Sequence, residues 1–148
     1  MLIKFAVKNF RGFAERIEWD LSHPSNYSFN TYAVKDGVIK NGIIYGPNGS
    51  GKTNFSVALF DIVNHLTQKS KKPDYYQNFV YGGDSNLNVD FEYTFKFDDQ
   101  TIGYKYSKNV FGALVKEALI VDGTVIFKRR IGALELNEQQ FPINKDRS

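Results

Sequence analysis

Four residues in the first half of the chain have the types and the spacing that bind the phosphates of a nucleotide. Gly46, Gly51, Lys52 and Thr53 match the pattern G-x-x-x-x-G-K-[ST] without a gap. The glycines permit backbone angles that are closed to other residues, and they let the main chain approach an anion closely. The lysine supplies a cation for the β- and γ-phosphates, and the threonine supplies a hydroxyl for Mg²⁺. These residues predict a site for a nucleotide and magnesium.

The backbone around these four residues adds to the site. The stretch reads GPNGSGKT, which is the P-loop or Walker A motif, and its amides from about Asn48 onwards are expected to form one concave nest for oxygen anions. A helix after the loop would add its positive N-terminal end. The alternative is a glycine-rich turn that binds nothing. The expected phosphate-binding residues are Gly46, Pro47, Asn48, Gly49, Ser50, Gly51, Lys52 and Thr53.

Apolar patterns on both sides of the loop predict the elements that position it. The run Ile43–Tyr45 directly before Gly46 favours a short buried strand. After the loop, apolar residues recur at spacings of three and four, which predicts a helix from about Lys52 to Thr67. Its apolar stripe is expected to contain Phe55, Leu59, Ile62, Val63 and Leu66.

Period-two alternation predicts that most of the remaining chain is sheet. An antiparallel pair is expected near the N-terminus, and Asp98-Asp99 and Asp122-Gly123 are expected to reverse the chain between later strands. The predicted strands are 3–7, 17–21, 32–34, 89–97, 101–106, 118–121 and 124–128, with a further turn at 35–37.

Length, composition and charge limit the class of protein. The chain has 148 residues, 16% of them aromatic, and no cysteine, which suits one domain without disulfides or thiolate metal sites. We expect a cytoplasmic protein that does not enter a membrane, since no apolar run approaches the roughly 20 residues that span a bilayer. The net charge of +3 permits contact with nucleic acid without arguing for it. Two basic clusters, at Lys69, Lys71 and Lys72 and at Lys128, Arg129 and Arg130, are interpreted as solvated surface.

The loop and the opening of the chain resemble a known group. GPNGSGKTN, with Asn48 and Ser50 inside the loop and Asn54 after it, resembles the phosphate loop of ABC-type ATPases. KNFRGF, from Lys8 to Phe13, resembles the start of the RecF-like and structural-maintenance-of-chromosomes branch. The strongest resemblance is to bacterial AAA-family ATPases related to abortive-infection and OLD-type phage-defence proteins. It covers about 1–64 well and 87–130 only as an architecture.

The resemblance implies an α/β fold with α+β character, the N-terminal lobe of an ABC-type P-loop NTPase. Residues 1–148 would form one ATP-binding lobe: 1–45 with N-terminal strands, 46–72 with the P-loop and helix, 86–130 as a β-rich subdomain, and 131–148 as a polar tail at an artificial or proteolytic end. Arg11 would lie near the phosphates, and Asn54 would join the nucleotide-binding residues. Asn48 would lie near the γ-phosphate and the attacking water, as a catalytic residue beside Lys52, and Thr53 would hold Mg²⁺.

Other motifs of the family lack convincing matches. Asp122 ends an apolar run as a Walker B aspartate would, but Gly123 follows it, and a hairpin turn explains the pair better. Tyr81–Ser85 has the double glycine of an ABC signature, but a strand pattern follows instead of a helix. A glutamine loop near Gln139 and Gln140 has little local support, and the histidines, His23 and His65, suit surface or core roles.

We therefore expect the ATP–Mg²⁺ lobe of a larger ATPase, whose hydrolysis requires a C-terminal lobe and pairing with a second head, as a homodimer with ATP at the interface. The resemblance implies DNA or a nuclease as a further partner. It also implies a role in phage defence or DNA repair. One alternative is a self-contained small kinase or GTPase, although the guanine motif Asn-Lys-x-Asp is only approached at 144–146. The other is a non-catalytic module for nucleotide or nucleic acid, with basic residues among aromatics at 95–97 and 104–106. Candidate base-stacking residues are Phe10, Phe13 and Tyr32.

Overall fold

Alternating apolar side chains fold most of this chain into one antiparallel sheet. The computed structural model describes residues 1–26, 28, 30–67, 73–137 and 139. The strands are β1 Leu2–Lys8, β2 Ile17–Asp20, β3 Val34–Lys35, β4 Val38–Ile39, β5 Val89–Phe97, β6 Gln100–Lys108, β7 Leu114–Val121, β8 Thr124–Arg130 and β9 Ala133–Leu136. The helices are α1 Lys52–Leu59 and α2 Asp61–Leu66, with 3₁₀ turns at Thr31–Ala33, Pro73–Tyr76 and Tyr81–Gly83. The mixed α+β class is thus confirmed, with antiparallel sheet as its main part.

Seven of these strands form a sheet in the order β2-β1-β5-β6-β7-β8-β9, in which all neighbours are antiparallel. The predicted hairpins are confirmed: Asp98 has a φ of 50°, and Asp122 and Gly123 have φ values of 47° and 80° at the turn between β7 and β8. Strand β9 extends the sheet into the segment 131–148, which we expected to be a polar tail. Strands β3 and β4 pair separately, around the expected turn at 35–37.

The core lies on one face of the sheet, under the two helices. Side chains that alternate along β1 and β5 point into it, and Phe5, Phe91 and Tyr93 are buried there. The hydroxyl of Tyr93 donates a hydrogen bond to the carbonyl oxygen of Ala58 at 2.9 Å, which ties α1 to the middle of the sheet. The other face presents mostly charged side chains.

The single helix predicted from Lys52 to Thr67 is instead two short helices that break at Phe60. Phe60 has φ −88° and ψ 0°, and Asp61, the first residue of α2, is fully buried. Its carboxylate accepts hydrogen bonds from Lys108 and Tyr106 on β6. Val63 and Leu66, which we expected on the apolar stripe, are exposed, as is Phe60.

The prediction of a short buried strand directly before the loop is wrong. Residues 41–46 have no regular structure, and Ile43 and Tyr45 are 90% and 91% exposed. In the described sheet every strand is antiparallel and none pairs with this segment, so its apolar side chains have no layer to enter. The strand predicted at 32–34 is also wrong for Tyr32, which lies in the 3₁₀ turn Thr31–Ala33.

Crossing a bilayer demands a length and an apolar character that none of the helices in the described ranges has. Several sequence predictions lie outside those ranges: the cluster Lys69, Lys71 and Lys72, the candidate Gln140, and the approach to a guanine motif at 144–146.

Candidate phosphate-binding site

The backbone of the loop ends at the start of α1. Gly49 and Gly51 have φ values of 83° and 90°, in the left-handed region that glycine tolerates best. Gly51 is the N-cap of α1 and gives it no side-chain cap, and the first helical hydrogen bond runs from the amide of Phe55 to the carbonyl of Gly51 at 2.8 Å. The amides at 52–54 therefore have no acceptor within the helix. Together with the helix dipole, they suit an anion.

Lys52 occupies the concave side of this loop. Its Nζ atom donates to the carbonyl oxygens of Gly46 and Pro47, at 2.7 and 2.8 Å. Thr53 and Asn48 are exposed, and neither side chain has a hydrogen-bond partner among the residues that the structure describes. The loop region thus carries a cation together with an exposed hydroxyl and an exposed amide side chain.

Aromatic rings hold the loop against the N-terminal strands. The ring of Phe55 in α1 packs at 5.6 Å from that of Phe5 in β1 and at 5.5 Å from that of Trp19 in β2. A Cβ atom placed on Gly51 would lie 2.8 Å from Cε1 of Phe13. The end of the loop is therefore packed so closely on the ring of Phe13 that a side chain at Gly51 would force this ring to shift.

Arg11 and Asn54, both expected near the nucleotide, contact each other behind the loop. Arg11 has a φ of 49°, and its guanidinium donates to Asn54 Oδ1 and to the carbonyl oxygen of Tyr75, both at 3.4 Å. It also lies 5.4 Å from the ring centre of Phe10. In the described part of the chain, its buried Nε atom has no hydrogen-bond partner. The two residues thus link the β1–β2 connection to α1.

A cavity of about 370 Å³ opens beside the loop. Phe13, Trp19 and Tyr45 contribute aromatic rings to its lining, next to Lys52. Of the candidate base-stacking residues, Phe13 therefore lines the cavity, while Phe10 is fully buried in the core and has no face for a ligand. Tyr32 is exposed in its 3₁₀ turn and is not part of this lining. The sequence prediction missed Trp19, although its position on the same face of the sheet as Phe5 was readable from the period of two.

The residues considered as Walker B and signature matches lie elsewhere. The carboxylate of Asp122 accepts a hydrogen bond from the backbone N–H of Thr101 at 2.7 Å. This bond ties the turn between β7 and β8 to strand β6. Asp122 follows β7, whereas the cavity beside the loop is lined by residues of β2. Three strands lie between β7 and β2, which places these two strands about 19 Å apart. The double glycine lies in the 3₁₀ turn Tyr81–Gly83, before strand β5. Gln139 donates its backbone N–H to Asn137 Oδ1 at 3.2 Å, just after β9.

A buried polar network beneath α2 was not expected from the sequence. Lys108 donates to Asp61 Oδ2 at 2.6 Å, and Tyr106 donates to the same oxygen at 2.8 Å. Burial, with the nearby charge of Asp61, raises the pKa of Tyr75 to about 12. Burial and the charge of Lys108 also lower the pKa of His65. His65 is partly buried, and its ring stacks at 4.1 Å on the ring of Tyr106.

The side chains present fit a phosphate group better than a bare metal ion. Among the described residues, no three histidine or carboxylate side chains lie close enough together to hold a metal. Glu18 is the carboxylate on the lining of the cavity, and Lys4 pairs with it at 3.2 Å. A magnesium ion here would thus depend on Thr53 and on phosphate oxygens.

Comparison of the chain with protein-family models and with curated proteins finds no match.

Proposed function

We propose that this chain is the ATP–Mg²⁺-binding lobe of an ABC-type, RecF-like ATPase. The observation that carries the proposal is the conformation of GPNGSGKT. Two glycines at positive φ lead directly into α1, whose first amides have no side-chain cap. This combination of a concave backbone, a helix N-terminus and Lys52 is the chemistry that a polyphosphate requires.

Lys52 and the loop amides are the groups that would hold the phosphates. The ammonium group contacts two carbonyl oxygens, of Gly46 and Pro47, which a β- or γ-phosphate oxygen would replace with a full negative charge. Thr53 would present its hydroxyl to Mg²⁺, and Asn48 would reach towards the γ-phosphate. Magnesium, when bound, would neutralise part of the phosphate charge.

The aromatic cavity suits the base of the nucleotide. Phe13, Trp19 and Tyr45 lie at one end of the loop, so a purine ring that extends from the phosphates would find aromatic faces and be shielded from water. Stacking of this kind favours a purine without selecting adenine over guanine, and ATP rests on the resemblance of the loop.

We propose that hydrolysis needs parts that this lobe does not supply. These are a Walker B carboxylate, a signature motif and a second head that pairs with the first, with ATP at the interface. Exposed apolar side chains support this: Ile43 and Tyr45 precede the loop, Phe60 follows α1 and Leu66 ends α2, and all four expose much of their surface to solvent. Apolar surface of this kind is typical of protein–protein contacts. Phage defence or DNA repair, with DNA or a nuclease as partner, is the role that the resemblance favours.

Titration with a fluorescent ATP analogue, with phosphate release followed in the same sample, tests the proposal. The wild type should bind the analogue in the presence of Mg²⁺ and release no phosphate above background. Lys52→Ala should lose binding, whereas Lys40→Ala, which removes an exposed charge that does not line the cavity, should keep it. Steady phosphate release that Lys52→Ala abolishes would contradict the need for a second lobe, and would direct attention to Asp122 as a metal ligand.

A further inference from the structure

A second concave surface lies on the face of the sheet opposite to the helices. It is a groove of about 610 Å³ that crosses strands β5 to β8. Its middle is formed by two small residues, Ser107 on β6 and Ala118 on β7, so the surrounding long side chains leave space between them. The groove is independent of the phosphate loop, because α1 covers the other face.

The strand register places four cations around this space. Ala118 lies directly between Lys105 on β6 and Lys128 on β8. Two residues along, Lys116 lies directly opposite Arg130. Residues two apart on one strand share a face at about 7 Å, so the four charges surround the methyl group of Ala118. All four side chains are exposed.

Repulsion between these charges lowers the free energy of unfolding. Neighbouring carboxylates offset this repulsion only in part. Like charges directly opposite across two strands, as Lys116 and Arg130 are, destabilise a sheet. Glu92 pairs with Lys105 at 3.0 Å, and Asp90 lies 3.7 Å from Lys116. Neither Lys128 nor Arg130 has a carboxylate within 4 Å in the part of the chain that is described.

Five residues of the groove lie along one row of the sheet. Lys8 on β1 lies in register with Asp90, which lies in register with Ser107, and the row continues through Lys116 to Arg130. The row covers four interstrand spacings, about 19 Å. Seven of the residues that line the groove are cationic and three are acidic, an excess of four, against a net charge of +3 for the whole chain. The residues that line the groove therefore carry an excess of positive charge.

We propose that this face binds the phosphate backbone of double-stranded nucleic acid. About 19 Å of duplex carries roughly eleven phosphate charges, so the three cations of the row, Lys8, Lys116 and Arg130, are spaced to meet separate phosphates. The aromatic residues along the groove, Phe91 and Tyr106, are buried towards the helices and cannot stack on bases. Contact without stacking favours a paired duplex over a single strand, and contact without base readout favours binding independent of sequence. The inference deepens the proposed function, on which it rests for DNA as a partner, by naming the surface and the duplex form, and its test is separate from that of nucleotide binding.

Fluorescence anisotropy with a labelled 30-base-pair DNA duplex, over a range of salt concentrations, tests this surface. With four phosphate contacts, the slope of log K against log[salt] should be about −3.6 for the wild type. The double variant Lys128→Gln/Arg130→Gln should reduce the slope by about two and weaken binding at 0.1 M salt by roughly 50-fold. Its titration with the ATP analogue should match the wild type, which separates this proposal from the one above.

The matched control is Lys35→Gln/Lys40→Gln, which removes the same charge from the exposed segment of β3 and β4. It should keep the duplex affinity within about twofold if position matters more than net charge. Absence of duplex binding by the wild type, or equal losses in both double variants, would overturn the proposal. So would tighter binding of a single strand with equal phosphates, or of polyglutamate with equal charge.

Discussion

Lys52 closes the phosphate loop on itself, with its Nζ atom 2.7 Å from the carbonyl oxygen of Gly46. Together with the contact from the same atom to the carbonyl oxygen of Pro47, this bond holds the loop in a concave shape. The ordering of this loop therefore rests on a few contacts, which substitutions can test one at a time.

The two glycines of the loop should differ in their tolerance of a methyl group. Gly49 has positive φ but open space around its Cβ position, so Gly49→Ala should cost about 1 kcal/mol of stability through backbone strain alone. Gly51 adds a clash with Phe13 at 2.8 Å, so Gly51→Ala should cost about 3 kcal/mol and weaken ATP binding. Urea denaturation and nucleotide titration measure both effects. Adding Phe13→Ala should restore part of the binding lost in Gly51→Ala, and equal effects of the two single variants would refute the packing argument.

Trp19 should report the binding of a base, because it is the only tryptophan in the chain and it lines the cavity beside the loop. Its emission should change when ATP–Mg²⁺ is added, and Tyr45→Ala should weaken binding of ATP more than binding of tripolyphosphate, which has no base. Losing one stacking contact should cost about 1–3 kcal/mol. Equal losses for both ligands would mean that the cavity does not hold the base.

Lys108 should be the most sensitive charged residue in the described sheet, because it is 4% exposed and pairs with the fully buried Asp61. Lys108→Met should leave that carboxylate without its cation and lower the free energy of unfolding by about 3–5 kcal/mol, measured in urea. The further change Asp61→Leu should recover much of the loss, since both charges are then gone.

The control for this pair is Lys105→Met, which breaks an exposed ion pair with Glu92 at 3.0 Å. Exposed pairs contribute little, so its effect should stay within about 1 kcal/mol. Similar losses in Lys105→Met and Lys108→Met would show that burial of the second pair carries no special energy.

His65 should make stability fall in mild acid. Burial and the charge of Lys108 lower its pKa in the folded state, against the opposing influence of Glu117 and Asp61, and its Nε2 atom lies 2.8 Å from the hydroxyl of Tyr104. The folded state then binds fewer protons than the unfolded state. The stabilisation is present above about pH 6.5, the ordinary value, and is lost as the pH falls through the lowered pKa. His65→Phe keeps a ring on Tyr106 and should lose less stability between pH 7 and pH 5; parallel pH curves would contradict this account.

The sheet was largely predictable because its signals are local. Val89–Phe97 alternates strictly, and Asp122-Gly123 is a pair that adopts positive φ readily, so each hairpin is encoded within about twenty residues. The turn and the helix start at Gly46 to Thr53 were predictable for the same reason, since eight consecutive positions encode them.

The failures all depend on partners that are distant in sequence. Ile43–Tyr45 resembles a buried strand only if another strand pairs with it, and none in the described sheet does. The break at Phe60 depends on Asp61 meeting Lys108, which is 47 residues away, and no helix propensity reveals that contact. The cations of the groove could likewise be read from the sequence. Which of them lie side by side depends on the register between β6, β7 and β8.

The most direct test of the account is a calorimetric titration of ATP–Mg²⁺ into the wild type, Lys52→Ala and Lys40→Ala. The account predicts saturable binding at one site per chain in the wild type and in Lys40→Ala, and no heat of binding in Lys52→Ala. Absence of binding in the wild type, or undiminished binding in Lys52→Ala, would contradict the central claim that the loop from Gly46 to Thr53 is a nucleotide site.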